Sequence, residues 1–310
     1  MNFKALWYVI LFIIMVVWGF NVVAIKILVQ HFPPITMQAL RVLVAGIVIL
    51  LILLFKKSIR KLTKRELLYT LGAGLFGVLG HHFFIGIGLV NTTASNGALI
   101  LALIPLVTSF LAVIFLKEKL TTFRIIGYLL GFLGVSFIII QGNGSVTGIS
   151  KGDIYMLGAV VTQAISFVLI KKATTSLDSK LMTALMIIFG STLLLGISQF
   201  MEPIEITAFT TTSSFIWFIF FSSAVLATGI GHMLYNTAIH HLGAAETSIF
   251  INLTTFFSLI GSALFLEETI NAIQIYGFII IVIGVILGTG TVEHYLNKKR
   301  NKPTSVISAN

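Results

Sequence analysis

His81 and His82 stand side by side inside one apolar stretch, and His232 stands inside another. Histidine titrates near neutrality, so such a ring can contact a solute or change its own charge. At hydrocarbon depth it must in any case hydrogen-bond to a neighbour, because polar groups there are costly. Adjacent helical residues point about 100° apart. One of His81 and His82 is therefore expected to face an interior, and the pair is poorly placed to share a metal. Gly74, Gly77 and Gly88 lie on the side of His81 and leave room for a close helix or an open cavity. His232, Tyr235 and Asn236, with Thr228 one turn earlier, share a helical face. By position His82 and His232 are expected on opposite sides of a membrane midplane, each in its own vestibule. Trp18 with Asn21, and Gln163 with Ser166, are pairs at i, i+3 spacing. Asn252, with Ser248 and Thr255, makes a further polar stripe. Each set reads either as a solute-binding patch or as interhelical hydrogen-bonding glue.

Two cations also fall within apolar stretches, Lys26 and Arg41. A guanidinium binds a carboxylate through two parallel hydrogen bonds, so Arg41 is a candidate for an anion site or gate. The alternative is snorkelling to headgroups or bonding to helix-end carbonyls, which is the favoured reading for Lys26. Glu118 and Glu268 adjoin turns and are read as ordering the connections between spans. Glu246 opens a span and is read as a helix cap, where a carboxylate is favoured. The chain has no cysteine. It has no HExxH, no paired intramembrane acids and no Walker-type phosphate loop, so a thiolate metal site, intramembrane hydrolysis and an ATP-driven pump are disfavoured. No cofactor or metal is expected, and the chain is read as no enzyme.

The elements that carry these residues follow from composition. Of 310 residues 57% are hydrophobic and 10% charged, and mean hydropathy is +1.05. A water-soluble domain of this size cannot bury that much apolar surface, and a disordered chain would not hold 26 Phe. A membrane-crossing helix needs ~20 apolar residues. Ten stretches qualify, at 6–28, 35–55, 67–89, 95–116, 123–141, 153–172, 180–200, 212–238, 245–266 and 272–292. They are continuous rather than alternating, which argues against a β-barrel. Pro33-Pro34, Thr121-Thr122, Gly142-Asn143-Gly144 and Pro203 separate them. With the N-terminus cytoplasmic, nearly all Lys and Arg of the connections fall inside, and only Lys151 falls outside. The net charge of +10 is thus a topology signal, with some attraction to anionic lipid, rather than a sign of nucleic-acid binding. Both termini are expected in the cytoplasm.

The chain also matches itself. At an offset of 150, Ala94 pairs with Ala244, His82 with His232, Phe115-Leu116 with Phe265-Leu266, Glu118 with Glu268, Gly127 with Gly277, and Gly134-Val135 with Gly284-Val285. At 145, Lys26 pairs with Lys171, Trp18 with Gln163 and Asn21 with Ser166. Five spans used twice must place the second copy upside down, an architecture common among secondary transporters. The stretch from Leu116 through Glu118 to Gly127, then Gly131 and Gly134-Val135, and its copy Leu266-Glu-Glu-Thr-Ile270 with Gly277 and Gly284-Val285, resemble the ends of EamA modules. Trp18-Gly19 and Arg41 are similar to that family too. The halves differ where Pro105 faces Thr255.

The resemblance implies an all-α polytopic membrane protein of ten transmembrane helices in two inverted five-helix repeats. It divides the chain into a first repeat at 1–141, a linker at 142–152, a second repeat at 153–292 and a basic cytoplasmic tail at 293–310. It implies a plasma-membrane carrier of the drug/metabolite transporter superfamily, often an exporter of amino acids or related metabolites, working by alternating access. The alternatives are a non-transporting receptor or scaffold, or a carrier of small amines or nucleoside-type compounds. The expected partners are a small-molecule substrate and the lipid bilayer, with no nucleic acid. Proton coupling through the histidines and facilitated diffusion both stay open. The glycine pairs Gly127/Gly131 and Gly284/Gly288 predict close packing either within the bundle or between two protomers of a homodimer.

Overall fold

The computed structural model describes residues 3–116, 119–141, 150–202, 209–242, 247 and 250–293. Glu118, Gly142–Gly144, Pro203, Glu246, Ser248 and the tail from 294 lie outside the described residues, so the expectations placed on them are not addressed. The described residues are helices joined by short connections and contain no strand. Helices α1 (Phe3–Leu28), α2 (Pro34–Phe55), α3 (Lys64–Gly74), α4 (His81–Asn91), α5 (Ala94–Leu101), α6 (Ile104–Leu116) and α7 (Thr122–Gln141) form the first half. Helices α8 (Lys151–Ala173), α9 (Ser179–Met201), α10 (Ser214–Ser222), α11 (His232–Leu242), α12 (Ile251–Phe265) and α13 (Ala272–Gly288) form the second. A π-helical segment, Leu75–Gly80, joins α3 to α4, and a second, Ser223–Gly231, joins α10 to α11. Among the described residues, eight helical stretches are long and apolar enough to cross a membrane. The further helices α12 and α13 are equally apolar but shorter.

Apolar residues choose helix here because every backbone polar group must be satisfied without water. The starts are marked by side-chain caps. Thr63 and Glu66 form a reciprocal capping box at α3, as do Asn271 and Gln274 at α13. Thr93, Ser150, Asp178 and Ser213 accept from the first free amides of α5, α8, α9 and α10. Two helices take a cap from the other half of the chain. The carboxylate of Glu202 accepts from Ile35 N, Thr36 N and Thr36 Oγ1, each at 2.7 Å. That of Glu268 accepts from Ala94 N, Ser95 N and Ser95 Oγ at 2.8, 2.9 and 2.5 Å. Pro34 at the start of α2 has no N–H, so the next two amides present themselves to Glu202.

The halves interleave. The most extensive helix contacts join α7 to α13, α2 to α9, α1 to α12 and α4 to α8, each a pairing across the halves. Glycine sets the closest of these. A side chain on Gly127 would meet the backbone of Gly288 at 2.2 Å and of Gly284 at 2.6 Å. The α7–α13 seam is therefore backbone against backbone, and the glycine pairs face each other within one chain. Large apolar side chains such as Phe132, Phe200, Phe218 and Leu264 point outward. An outward face of that composition requires hydrocarbon as its solvent.

Candidate functional site

A cavity of about 120 Å³ lies where the halves meet. Trp18 and Asn21 from α1, Arg41 from α2, and His81 and His82 from α4 line it from the first half. Gln163 and Phe167 from α8, Thr228 and His232 from span α10–α11, and Thr254 and Thr255 from α12 line it from the second. Each π-helical segment ends immediately before a lining histidine, at His81 and at His232. Single-turn π insertions re-aim the side chains that follow and recur at functional sites.

Arg41 is fully buried. Its Nε and Nη2 donate to Gln38 Oε1 at 3.2 and 2.6 Å. Its Nη1 donates to Ser223 Oγ at 3.1 Å and Thr228 Oγ1 at 2.5 Å. Nη2 also donates to His82 Nδ1 at 3.2 Å. A guanidinium can only donate, so His82 Nδ1 is an acceptor there. His81 Nδ1 lies 2.9 Å from Ala159 O and His232 Nδ1 lies 3.0 Å from Thr228 O. Carbonyls only accept, which makes Nδ1 the donor in both rings and leaves Nε2 as the acceptor nitrogen. Ser223 Oγ in turn donates to Asn21 Oδ1 at 2.5 Å, so one network runs from α1 through the second half to α2 and α4. Trp18 donates from Nε1 to Ala227 O at 2.8 Å, and its ring packs against His232 and Tyr235 at 4.9 and 5.0 Å.

Several expectations change. Both His81 and His82 line the cavity, with their rings 5.3 Å apart. His82 and His232 line the same cavity rather than two vestibules. Other sequence candidates stand outside the lining. Ser166 donates to Ala73 O at 3.0 Å and occupies the space above Gly77. Tyr235 is buried in the apolar cluster with Trp7, Leu11 and Met15, behind Trp18. Asn236 donates to Thr183 Oγ1 at 2.7 Å and borders a separate cavity of about 630 Å³ with Thr174–Lys180. Asn252 is buried and does not line the cavity, although Thr255, one turn on, does. Lys26 donates to Leu89 O and Thr92 O at 2.6 and 2.7 Å, the carbonyls that end α4. Gln38, Ser223, Phe167 and Thr254 were missed. Gln38 stands three residues before Arg41, a helical-neighbour spacing that could have flagged it.

No cluster of three or more His, Cys, Asp or Glu able to hold a metal occurs among the described residues.

An all-helical bundle with exposed apolar faces, built from two interleaved halves around a cavity that both halves line, is a polytopic membrane protein. The EamA-like transporter family matches residues 5–140 and again 150–289, and the chain belongs to that family. It is 29% identical over 288 residues to the uncharacterized transporter YyaM of Bacillus subtilis, spanning 91% of this chain and 92% of that one. It is 26% identical over 279 residues to the uncharacterized transporter YvbV of the same organism, spanning 88% of each. An uncharacterized transporter of Archaeoglobus fulgidus is 23% identical over 278 residues, covering 90% of this chain and 96% of its own. A solved crystal structure shares the fold with a TM-score of 0.68 at 16% identity, covering 96% of this chain and 99% of that one.

Proposed function

We propose that the chain is a secondary transporter that moves a small metabolite, an amino acid or related compound, across the plasma membrane by alternating access, in the direction of export. The observation that carries this reading is the central cavity, to which both halves contribute polar side chains. A carrier needs one solute site reachable from either side, and a site at the seam of two repeats provides that. The pairing of α2 with α9 and of α7 with α13 is what a twofold axis relating five-span repeats would produce. It supports two equivalent five-span repeats, and the excess of Lys and Arg in alternate connections is what supports placing both termini inside.

Trp18, Asn21, Gln163 and Thr255 supply an indole face, amides and a hydroxyl to a solute. The indole is held by Ala227 O and by Tyr235 behind it, so it meets the solute pre-oriented and loses little entropy on binding. The test is counterflow of amino acids, nucleosides and small amines into liposomes holding the purified chain, with and without a pH gradient. Exchange that falls by about tenfold in Gln163→Ala or Trp18→Ala supports the reading. Exchange by the wild-type chain that both variants leave unchanged moves the solute path away from this cavity.

A further inference from the structure

Arg41 is, among the described residues, the one formally charged side chain lining the central cavity. Among the described residues all its hydrogen-bond partners are neutral: Gln38, Ser223, Thr228 and His82. These dipoles satisfy the five N–H groups but not the charge. No Asp or Glu among the described residues lines the cavity. A buried charge without a counter-charge is costly, most of all at membrane depth, and it persists where something else completes it.

We propose that the solute of this cavity is a small organic monoanion, a carboxylate without a free ammonium group, whose charge completes that of Arg41. The proposal rests on the reading of the cavity as the transport site, and within amino acids and related compounds it narrows the solute to relatives that keep the carboxylate and lack the ammonium group. A monoanion and the guanidinium sum to zero inside a site closed to water. A zwitterion brings its own positive charge into a lining that holds no acid to receive it, and the pair stays cationic. An amine adds a second positive charge outright. The places for the two carboxylate oxygens are already marked. Thr228 Oγ1 occupies Nη1 and His82 Nδ1 occupies Nη2, and both residues line the cavity. An ionised oxygen is a stronger acceptor than a hydroxyl or an imidazole and takes those positions in a bidentate pair. The volume, about 120 Å³, keeps the solute small.

The test uses the full chain in liposomes and solutes matched in skeleton but not in charge. For the alanine and leucine skeletons, the amino acid, the α-oxo acid and the amine are compared by counterflow, with the rate of empty vesicles subtracted. The α-oxo acid is expected to move about tenfold faster than the amino acid of the same skeleton. Thr228→Asp sets the missing counter-charge beside Nη1 and is expected to abolish that preference. Should Thr228→Asp not fold, Arg41→Gln removes the charge and is expected to lose the anion preference while Arg41→Lys retains it; a preference kept in Arg41→Gln overturns the assignment. Amino acids or amines moving as fast as the α-oxo acids overturn the anion assignment and leave the carrier reading in place. Movement of no solute in any charge class overturns both.

Discussion

Trp18, Arg41, His81 and His82 are each tied to another helix, and His232 is held one turn back in its own span and packs against Trp18. His82 accepts from Arg41, whereas His81 and His232 donate to backbone carbonyls. A proton taken up by the site has ring nitrogens of His81, His82 and His232 to occupy, with Arg41 the fixed charge beside them. If transport depends on pH, replacing His82 and His232 together by Ala is expected to abolish that dependence, read as the rate of counterflow against pH. Persistence of the dependence would leave His81 as its source or place it outside the cavity. Space is as restrictive as charge. A side chain on Gly77 would fall 2.2 Å from Ser166 Oγ. Gly77→Ala is expected to cost about 1–3 kcal/mol by overpacking, seen as a lower midpoint of thermal unfolding in detergent. Ser166→Gly combined with it is expected to restore part of the loss.

At the scale of elements, the connections between helices do more than reverse the chain. Glu202 and Glu268 each cap a helix of the opposite half, so the second half grips α2 and α5 by their free amides. Glu268→Ala is expected to destabilise by about 1–2 kcal/mol, since it removes a helix cap and a carboxylate at the positive end of the helix. The Ser95 hydroxyl is then left with Ser262 as its partner. The glycine seam between α7 and α13 is stricter. Gly127→Leu would drive a branched side chain into the backbone of Gly288, and unfolding or loss of monodisperse protein on size-exclusion chromatography is expected. The role of Glu268 was legible as ordering a connection, from its place beside a turn. The role of Glu202 was not, because a cap supplied from a distant part of the chain leaves no local spacing to read.

The whole molecule is a set of helices paired across two halves, with apolar side chains toward lipid and polar ones toward the seam. The absence of cysteine makes its orientation directly measurable. Single-cysteine variants at Ser58 and Ser176 are expected to resist an impermeant thiol reagent in intact cells, and those at Thr211 and Glu267 to react. The reverse pattern would invert the proposed topology. Labelling of all four would mean that the reagent had crossed the membrane.

Sequence by itself determined the class of the protein. Its hydropathy dictates helices in a hydrocarbon solvent, and the offset matches at His82/His232 and Gly134/Gly284 marked a repeated unit. Helical spacing also told which polar residues share a face, as for Trp18 and Asn21. It did not tell which neighbour that face meets, because the rotation of a helix about its axis is set by packing. Tertiary structure decided that Ser166 would serve the backbone of Ala73, that Asn236 would bond Thr183, and that Asn252 would lie outside the lining. It also brought Gln38, Ser223, Thr228 and His82 together around one guanidinium. Gln38 is a helical neighbour of Arg41, but Ser223, Thr228 and His82 lie far from it along the chain, and only the close approach of α2, α4 and the π-helical segment between α10 and α11 places them within hydrogen-bonding distance.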